Sequence, residues 1–443
     1  MSLLERQHNR SLFQRICGAL TSGGIRQSVF TLISTAMGGG VLCLPYMMKE
    51  SGWLVGFILL TISSLIAYFS MSMLIHASHK TRKFSYTSLL AHSVGNWTGP
   101  ALDLVMISYG VGALVAYFIF LGDFIPDVVH SATGHHISKT VSIVLSTGLA
   151  IPMVLPAKLS ALRYVAPIST LSLCFVAAVV VLKAKKMQRE TSDGEFVYGK
   201  FSPSLLKAFA ISLFAYVCHL NVVTVAGEMV EPTPARIQKV VFRVSALLLC
   251  FYSMIGVCGY FSFGGLVAQN FLKNYPGSDS FIVACKSLLS CSLLFCLPMN
   301  ADPCARAFVH LTTTLGLDGV RSRPVSQSSS STDTRQRLIP GIEEVEVDPF
   351  ASLRIGSAIA SLILAGSIAA FVPGAADVLG LMGGSFGTIL MIVCPLLIYQ
   401  KTFNGSISTR TRFIMLFMWC AALASFAAVG LMAASYLGFC FRV

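Results

Sequence analysis

Hydrophobic positions fall into long stretches of about 20 residues, which short polar segments rich in Lys, Arg and Ser separate. A stretch of this length crosses a bilayer as an α-helix, because the helix satisfies its own backbone hydrogen bonds in hydrocarbon. The pattern therefore predicts an all-α, multi-pass membrane protein. Its eleven predicted transmembrane helices are 25–48, 53–76, 101–122, 138–156, 164–182, 204–230, 240–263, 281–301, 353–373, 377–399 and 413–441.

Composition supports a protein embedded in lipid. Of 443 residues, 55% are hydrophobic and 12% charged, about half the charge of a typical soluble domain. The sequence has no GxxxxGK[ST] phosphate loop and no HExxH metal motif, so we expect neither an ATP-driven pump nor an enzyme. The 13 cysteines occur singly, without CxxC spacing, and are interpreted as free packing residues without a metal.

The distribution of Lys and Arg predicts the orientation. With a cytosolic N-terminus, 21 of the 32 basic residues lie in cytosolic segments, as the positive-inside rule favours. The segment 183–203 argues against this topology with five basic residues. The net charge of +13 needs no nucleic-acid partner, since basic residues near anionic lipid account for it. The sequence leaves open a plasma or a vacuolar/lysosomal membrane, and the oligomeric state.

Polar segments divide the chain into parts. We predict a cytosolic tail at 1–24, a first group of helices at 25–183, a second group at 204–400, and a last helix with the C-terminus at 411–443. A disordered cytosolic loop, 312–350, interrupts the second group, because its Ser, Thr, Arg and Glu content buries little apolar surface. We interpret this loop as a solvated linker; a phosphorylated regulatory loop is the alternative.

The first predicted helix contains three consecutive glycines, Gly38, Gly39 and Gly40, followed by Pro45. Each glycine costs about 1 kcal/mol of helix stability relative to alanine, so a break in the helix there is cheap. A break at the membrane midplane exposes N–H groups and the positive end of a half-helix, which suit a substrate carboxylate. Close helix packing is the alternative, but three consecutive glycines cover every face of a helix.

Few ionisable residues lie within the predicted helices, and charges in a membrane are usually functional. Lys207 and Lys286 lie near the ends, where a lysine stem can carry its ammonium group to the interface; this interpretation is favoured for Lys207 and open for Lys286. His219 lies deeper, and either a functional histidine or one hydrogen-bonded in the core fits. Glu228 and Asp302 complete the set.

Several segments, in one order, resemble the amino acid/auxin permeases, especially their system A and system N-like neutral amino acid transporters. GGGVLCLPY is similar to the family's GxGxLxLPY signature, and GALVAYFIFLGDFIPDVV carries its AY and GD pair as Tyr117 and Asp123. LPAKLSALRY, FAYVCHLNVVTVAGEMVEPTPARIQKV and DVLGLMGGSFGTILMIVCPLLIY resemble further family segments. The resemblance runs from about Gln27 to Lys401.

The resemblance implies the fold of the bacterial leucine transporter, in which 25–183 and 204–400 are inverted repeats of five helices each, followed by one more helix. It places the site at the first and sixth helices. The carboxylate of an amino acid would meet backbone amides at Gly38, Gly39, Gly40 and Val41. Its amino group and side chain would meet Phe214, Tyr216, Cys218 and His219. Because 215–221 has no Gly or Pro, a break in the sixth helix is implied by the resemblance alone.

Ion coupling is where the sequence departs from sodium-coupled members of that family. Their asparagine in the first helix is replaced by Ser34, which Thr35 follows, and their Thr-x-Pro threonine by Cys296. A thiol is a poor ligand for a hard cation, so protons carried by Glu228 or His219 are favoured over sodium, and a uniporter needs neither ion.

The resemblance adds Asn300 and Asp302 as secondary candidates for ion coupling. We expect an amino acid transporter in the lipid bilayer, working by alternating access without a cofactor other than a coupling ion. An amino acid sensor without net transport is the alternative. The sequence does not distinguish which amino acid is carried.

Overall fold

The computed structural model describes residues 23–155, 165–191, 195–230, 232–277, 279–316 and 350–440. Helices dominate these ranges. In chain order they are α1 Ile25–Ala36, α2 Leu44–Ser51, α3 Trp53–Thr81, α4 Tyr86–Val94, α5 Thr98–Thr133, α6 Lys139–Val154, α7 Val165–Glu190, α8 Ser204–Ala215, α9 His219–Glu228, α10 Pro234–Phe263, α11 Ser280–Thr314, α12 Ala351–Phe371, α13 Ala375–Met382, α14 Cys394–Thr402 and α15 Thr409–Cys440.

Within the described ranges, nine helical spans are long and apolar enough to cross a membrane. A tenth is obtained when α1 is joined to Gly39–Ser51, from which it is bent by 53°. The predicted multi-pass architecture is confirmed. Helix α6 has only 16 residues, fewer than the roughly 20 that span hydrocarbon, so the count of eleven stays a prediction.

Two helices continue well beyond their predicted ends. Helix α5 has 36 residues, ending at Thr133 where the sequence predicted 122. Helix α11 has 35, ending at Thr314 with Pro298 and Pro303 inside. Hydropathy marks only the apolar part of a helix, whereas the helices extend past the hydrocarbon into polar residues.

The predicted loop at 312–350 overlaps the end of α11 at its start, whereas its end at 350 directly precedes the first residue of α12. Its first three residues belong to α11, and a turn at Phe350 leads directly into α12. Most of the predicted loop, 317–349, lies outside the described residues, as does 1–22 of the predicted tail.

Both helices implied to be discontinuous are broken. The first is interrupted at Met37 and Gly38 and continues as the 3-10 helix Gly39–Cys43 before α2. The second is interrupted between α8 and α9 at Tyr216, Val217 and Cys218. There Tyr216 N–H donates to Leu213 O at 3.1 Å and Val217 N–H to Phe214 O at 3.1 Å, tightening the last turn of α8 to 3-10 spacing.

Helix α10 holds α2, the second half of the first broken helix, in place. A Cβ added at Gly259 would lie 2.5 Å from Pro45 Cγ, and one at Gly256 would lie 2.7 Å from Met48 Cε. Only glycine permits such a close approach of α10 to α2. The two breaks are thereby fixed in the centre of a bundle in which α5 packs along α11 and α10 packs along α3 and α7.

Candidate functional site

The break in the first helix presents backbone donors. Met37 N–H bonds Ile33 O at 2.8 Å and closes α1, while Gly38 is extended at φ −127°. The N–H groups of Gly39 and Gly40 belong to the first turn of the following 3-10 helix, where backbone donors have no partner within the helix. This end also carries the positive end of the helix dipole. The break can therefore bind an anionic group.

Aromatic rings pack directly onto the three glycines. A Cβ at Gly38 would lie 2.9 Å from Tyr117 Oη, one at Gly39 would lie 2.8 Å from Phe120 Cε2, and one at Gly40 would lie 3.1 Å from Phe214 Cδ1. The glycines thus interrupt the helix and also permit close packing. The two interpretations of the sequence, a helix break and close packing, are therefore both correct. Tyr117, which sequence reasoning did not assign to the site, places a hydroxyl beside Gly38.

A cavity of about 1580 Å³ begins at this break. Its lining extends from Gly38 and Gly39 to Lys83, Asn96 and Arg306, of which Lys83 and Asn96 lie in the connections before and after α4; we call this end the mouth. Its lining on the first broken helix runs from Gln27, in α1, to Leu42, in the 3-10 helix, so it opens toward the side of the membrane where α1 begins. Asn221, Thr224 and Asn300 add polar groups to walls that include Phe30, Leu42, Leu220, Leu289 and Leu293.

The cavity gathers only part of the predicted substrate site. Gly38 and Gly39 line it. The other predicted substrate residues pack behind this surface, where Val41, Tyr216, Cys218 and His219 are at most 1% exposed. Gly40 and Phe214 contact each other, and Phe214 also faces Tyr109 at 5.5 Å between ring centroids. The roles of these six in substrate binding stay predictions.

His219 is hydrogen-bonded within the core. It is fully buried, and its Nε2 lies 2.6 Å from the Ser70 hydroxyl. Among the described residues Nδ1 has no partner. This geometry fits a core histidine that helps pack α9 against α3.

Four predicted ion-coupling residues line the cavity: Ser34, Thr35, Cys296 and Asn300. Thr35 Oγ1 donates to Thr31 O at 2.8 Å and accepts from Asn221 Nδ2 at 3.0 Å. Asn300 Nδ2 donates to Cys296 O at 3.0 Å. The other two candidates lie elsewhere: Glu228 is exposed at the end of α9, and Asp302 is 3% exposed within an ion-pair cluster.

Hydroxyl groups from three helices meet beside Ser34. Ser34 Oγ lies 3.2 Å from Thr170 Oγ1, and Ser292 Oγ donates to Ser169 Oγ at 2.6 Å. Ser169 also lies 3.4 Å from Cys296 Sγ. Sequence reasoning missed these hydroxyls, because α7 and α11 are far from α1 along the chain. Among the described residues, no cluster of three His, Cys, Asp or Glu side chains could hold a metal ion.

The lysines within the membrane form ion pairs. Lys207 Nζ lies 2.5 Å from Asp377 Oδ1, and Lys286 Nζ lies 2.7 Å from Asp127 Oδ2. The sequence favoured a Lys207 ammonium group that reaches the membrane interface. Instead, the side chain of Lys207 is only 18% exposed and pairs with Asp377, a partner that the sequence did not indicate. Pairing offsets the cost of removing the charge from water.

Asp302 also forms ion pairs with neighbouring basic residues. It bonds Arg354 Nη1 at 2.9 Å and pairs with Arg306, which ties α11 to α12. Nearby, at the cavity mouth, the buried Asp103 carboxylate lies 2.5 Å from Nδ1 of the half-exposed His310. Sequence reasoning did not identify this second pair.

Beyond the break, the opposite side of the bundle is closed. Leu44, Met47, Phe120, Phe124 and Phe271 are fully buried there. Polar side chains attach the segment between α10 and α11 to α13 and α5 on this side. Gln269 Nε2 donates to Asp377 Oδ2 at 2.9 Å, and Asn270 and Lys273 each contact Asp123 at 3.2 Å. As far as the described residues show, access to the glycine break is therefore one-sided.

Comparisons with known proteins agree with this geometry. A family model described as "Transmembrane amino acid transporter protein" matches residues 21–437. A Toxoplasma gondii protein named as a candidate amino acid transporter is 30% identical over 308 residues, which cover 68% of this chain and 42% of that protein. The sodium-coupled neutral amino acid transporter 7 of Xenopus laevis is 25% identical over 396 residues, covering 86% and 80%.

A solved structure shows the fold. A Na+-coupled sialic acid symporter, in a substrate-bound outward-open state, superposes with a TM-score of 0.53 at 13% identity, covering 96% of this chain and 92% of that one. The fold is that of the bacterial leucine transporter, as the resemblance implied.

Proposed function

Because the chain belongs to the transmembrane amino acid transporter family, we propose that it is a secondary transporter that carries an amino acid across a membrane by alternating access. The family consists of transporters, not enzymes. The chain spans less than half of the length of its Toxoplasma gondii relative. The transport activity is therefore argued from this chain's own site.

One observation carries the proposal: a large cavity ends at a glycine break. Gly39 and Tyr117 line the cavity at this break and can offer an N–H group and a hydroxyl, and the N–H group of Gly40 follows in the same turn of the 3-10 helix. Together they can hold a carboxylate, the group that all amino acids share. The apolar and amide groups of the surrounding walls suit a substrate with an uncharged side chain.

In the proposed transport cycle, this conformation represents one of the two half-cycles. The cavity opens toward the side where α1 begins, so a cytosolic N-terminus makes this conformation inward-open. Transport then requires the outer contacts of Asp377 and Asp123 to part and the inner cavity to close. The sensor alternative has no support from the family comparisons.

Proton coupling or uniport is favoured over sodium coupling. Cys296 supplies sulfur where a hard cation prefers oxygen. The hydroxyls around Ser34 hydrogen-bond to one another, so their polar groups are satisfied without an ion. Neither Glu228, exposed at a helix end, nor His219, enclosed in the core, contacts the cavity, and the proton carrier is left unassigned.

Flux into proteoliposomes tests the proposed function. The full chain is reconstituted and uptake of twenty radiolabelled amino acids is measured at two pH values, with sodium or choline outside. We expect saturable uptake of neutral amino acids that persists in choline. Absence of saturable uptake for all twenty would refute the transporter.

A matched pair of glycine variants tests the site. Gly38→Ala places a methyl group 2.9 Å from Tyr117 Oη, whereas Gly148→Ala, in α6, meets nothing within 4 Å. We expect Gly38→Ala to lower uptake about tenfold or more, since misplaced binding groups cost at least about 1.4 kcal/mol. Gly148→Ala should transport normally. Equal uptake by the two variants would reject the glycine break as the substrate site.

A further inference from the structure

Tyr252, on α10, connects the two broken helices. Its hydroxyl lies 2.9 Å from the carbonyl oxygen of Ala36 and 2.8 Å from that of Ala215. Ala36 is the last residue of α1, and Ala215 is the last residue of α8. A single side chain thus contacts both discontinuities at the point where each helix ends.

This placement has an electrostatic reason. The last carbonyls of a helix have no partner within it and carry the negative end of its dipole, equivalent to about half an elementary charge. Here two such ends converge on one point and repel each other, and the Ala36 carbonyl accepts one further backbone bond, from Gly38 N–H at 3.0 Å. A hydroxyl has one proton to donate, and placed between the two oxygens it attracts both. In other broken-helix transporters such carbonyls coordinate a cation; here the protein supplies a donor of its own.

The tyrosine is also rigidly held. It is fully buried, and its ring packs edge-on against Tyr216, in the second break, with 5.1 Å between ring centroids. It lies outside the lining of the cavity, so a substrate at the glycine break would not touch it. Any effect of Tyr252 on transport must act through the positions of the two breaks.

We propose that Tyr252 is a positioning residue that holds the breaks of α1 and α8 in register and thereby sets the geometry of the backbone groups that bind the substrate. The consequence for binding rests on the proposed transport function. Without the hydroxyl, the two helix ends repel each other and the N–H groups at Gly39 and Gly40 lose their fixed position. Substrate affinity falls, although no group that contacts the substrate has changed.

The variant Tyr252→Phe removes only the hydroxyl, and Tyr260→Phe is its matched control. Tyr260 is on the same helix and 1% exposed, and its hydroxyl accepts from Val197 N–H at 3.0 Å, away from both breaks. Both variants lose one buried tyrosine hydroxyl. Only one of them loses the link between the breaks.

Two measurements on the full chain test whether Tyr252 links the two breaks. In proteoliposomes, Tyr252→Phe is expected to raise the KM for the best substrate of the wild type about 5- to 10-fold, the effect of one buried hydrogen bond, while Tyr260→Phe leaves it unchanged. In nanodiscs, amide hydrogen exchange in Tyr252→Phe should accelerate in peptides covering both 33–41 and 213–219. Tyr260→Phe should accelerate exchange only near 195–197.

Each outcome has one meaning. Acceleration at one break alone, or at neither, overturns the link, and so does an unchanged KM in Tyr252→Phe. If the wild type transports no amino acid, the proposed function fails, while the exchange measurement still decides whether Tyr252 couples the breaks.

Discussion

Tyr117 shows what a single residue adds to the site. Its hydroxyl lies closest to where a Cβ of Gly38 would be, and its ring lines the cavity. The glycines alone can bind a carboxylate through the backbone; Tyr117 adds a side-chain donor on α5 that can direct the carboxylate toward the break. The AY pair placed this tyrosine in a recognisable segment of the sequence, but no periodicity indicated that it faces α1.

We predict that Tyr117→Phe weakens substrate binding. Loss of one hydrogen bond to a charged group costs about 1.5–3 kcal/mol, so KM should rise at least about tenfold with little change in protein yield. Tyr399→Phe is the control. Tyr399 lies in α14, and its ring stacks on that of Phe403 with 4.6 Å between ring centroids. An unchanged KM in Tyr117→Phe would exclude its hydroxyl from substrate binding.

Sodium dependence is predicted to follow from two residues on the cavity wall. The double variant Ser34→Asn with Cys296→Thr restores an amide oxygen and a hydroxyl where sodium-coupled relatives are expected to have them. Since sodium prefers oxygen ligands, uptake by this variant should become faster in sodium than in choline. Wild type should transport equally in both. An identical sodium response in wild type and variant would remove the stated reason for sodium independence.

Among the elements, the two breaks differ in how far the sequence predicted them. Three consecutive glycines predicted the first break, because glycine destabilises a helix in every environment. The second break, at 216–218, has no such signal: α8 ends where Tyr252 of a different helix bonds the carbonyl of Ala215. That contact joins residues 37 positions apart in sequence, and no local pattern encodes it.

Helix lengths were underestimated for a related reason. Asp127 in α5 and Asp302 in α11 lie just beyond the predicted ends at 122 and 301, yet Asp127 pairs with Lys286 and Asp302 pairs with Arg354. A sequence shows each charge, but not the partner that makes it tolerable in a helix. The core of each span was therefore predictable, whereas its ends were not.

The pair between α8 and α13 gives a prediction at this scale. Asp377→Asn leaves Lys207 without its partner in a site where both side chains are less than 20% exposed, which should destabilise the fold by about 3 kcal/mol and lower the melting temperature. The exchanged pair, Lys207→Asp with Asp377→Lys, should recover part of the loss. Melting followed by fluorescence-detected gel filtration measures this.

An exposed pair is the control. Lys186 and Glu190 form an i,i+4 pair on α7 with side-chain exposures of 67% and 53%, and such pairs contribute little. Lys186→Ala should therefore melt like the wild type. If Asp377→Asn also melts like the wild type, the pair does not stabilise the closed side of the bundle.

For the whole molecule, the one-sided cavity is the central feature. Hydropathy predicted the fold class, and the resemblance predicted the transporter fold. The conformation could not be predicted, because the same sequence adopts every state of a transport cycle. The packed half around Phe120 and Phe271 and the open half around Asn96 and Arg306 define a single state. Alternating access requires that this asymmetry reverse around the glycine break.

Side-specific labelling of Cys296 is the measurement that tests this account most directly. This cysteine lines the cavity, and Cys296→Ser gives the background from other thiols. In vesicles of known orientation, an impermeant thiol reagent should label Cys296 only from the side of the N-terminus, and a saturating transported amino acid should slow labelling about fivefold or more. Labelling mainly from the opposite side, or labelling that no transported amino acid slows, would contradict a substrate site at the glycine break that opens toward the N-terminal side.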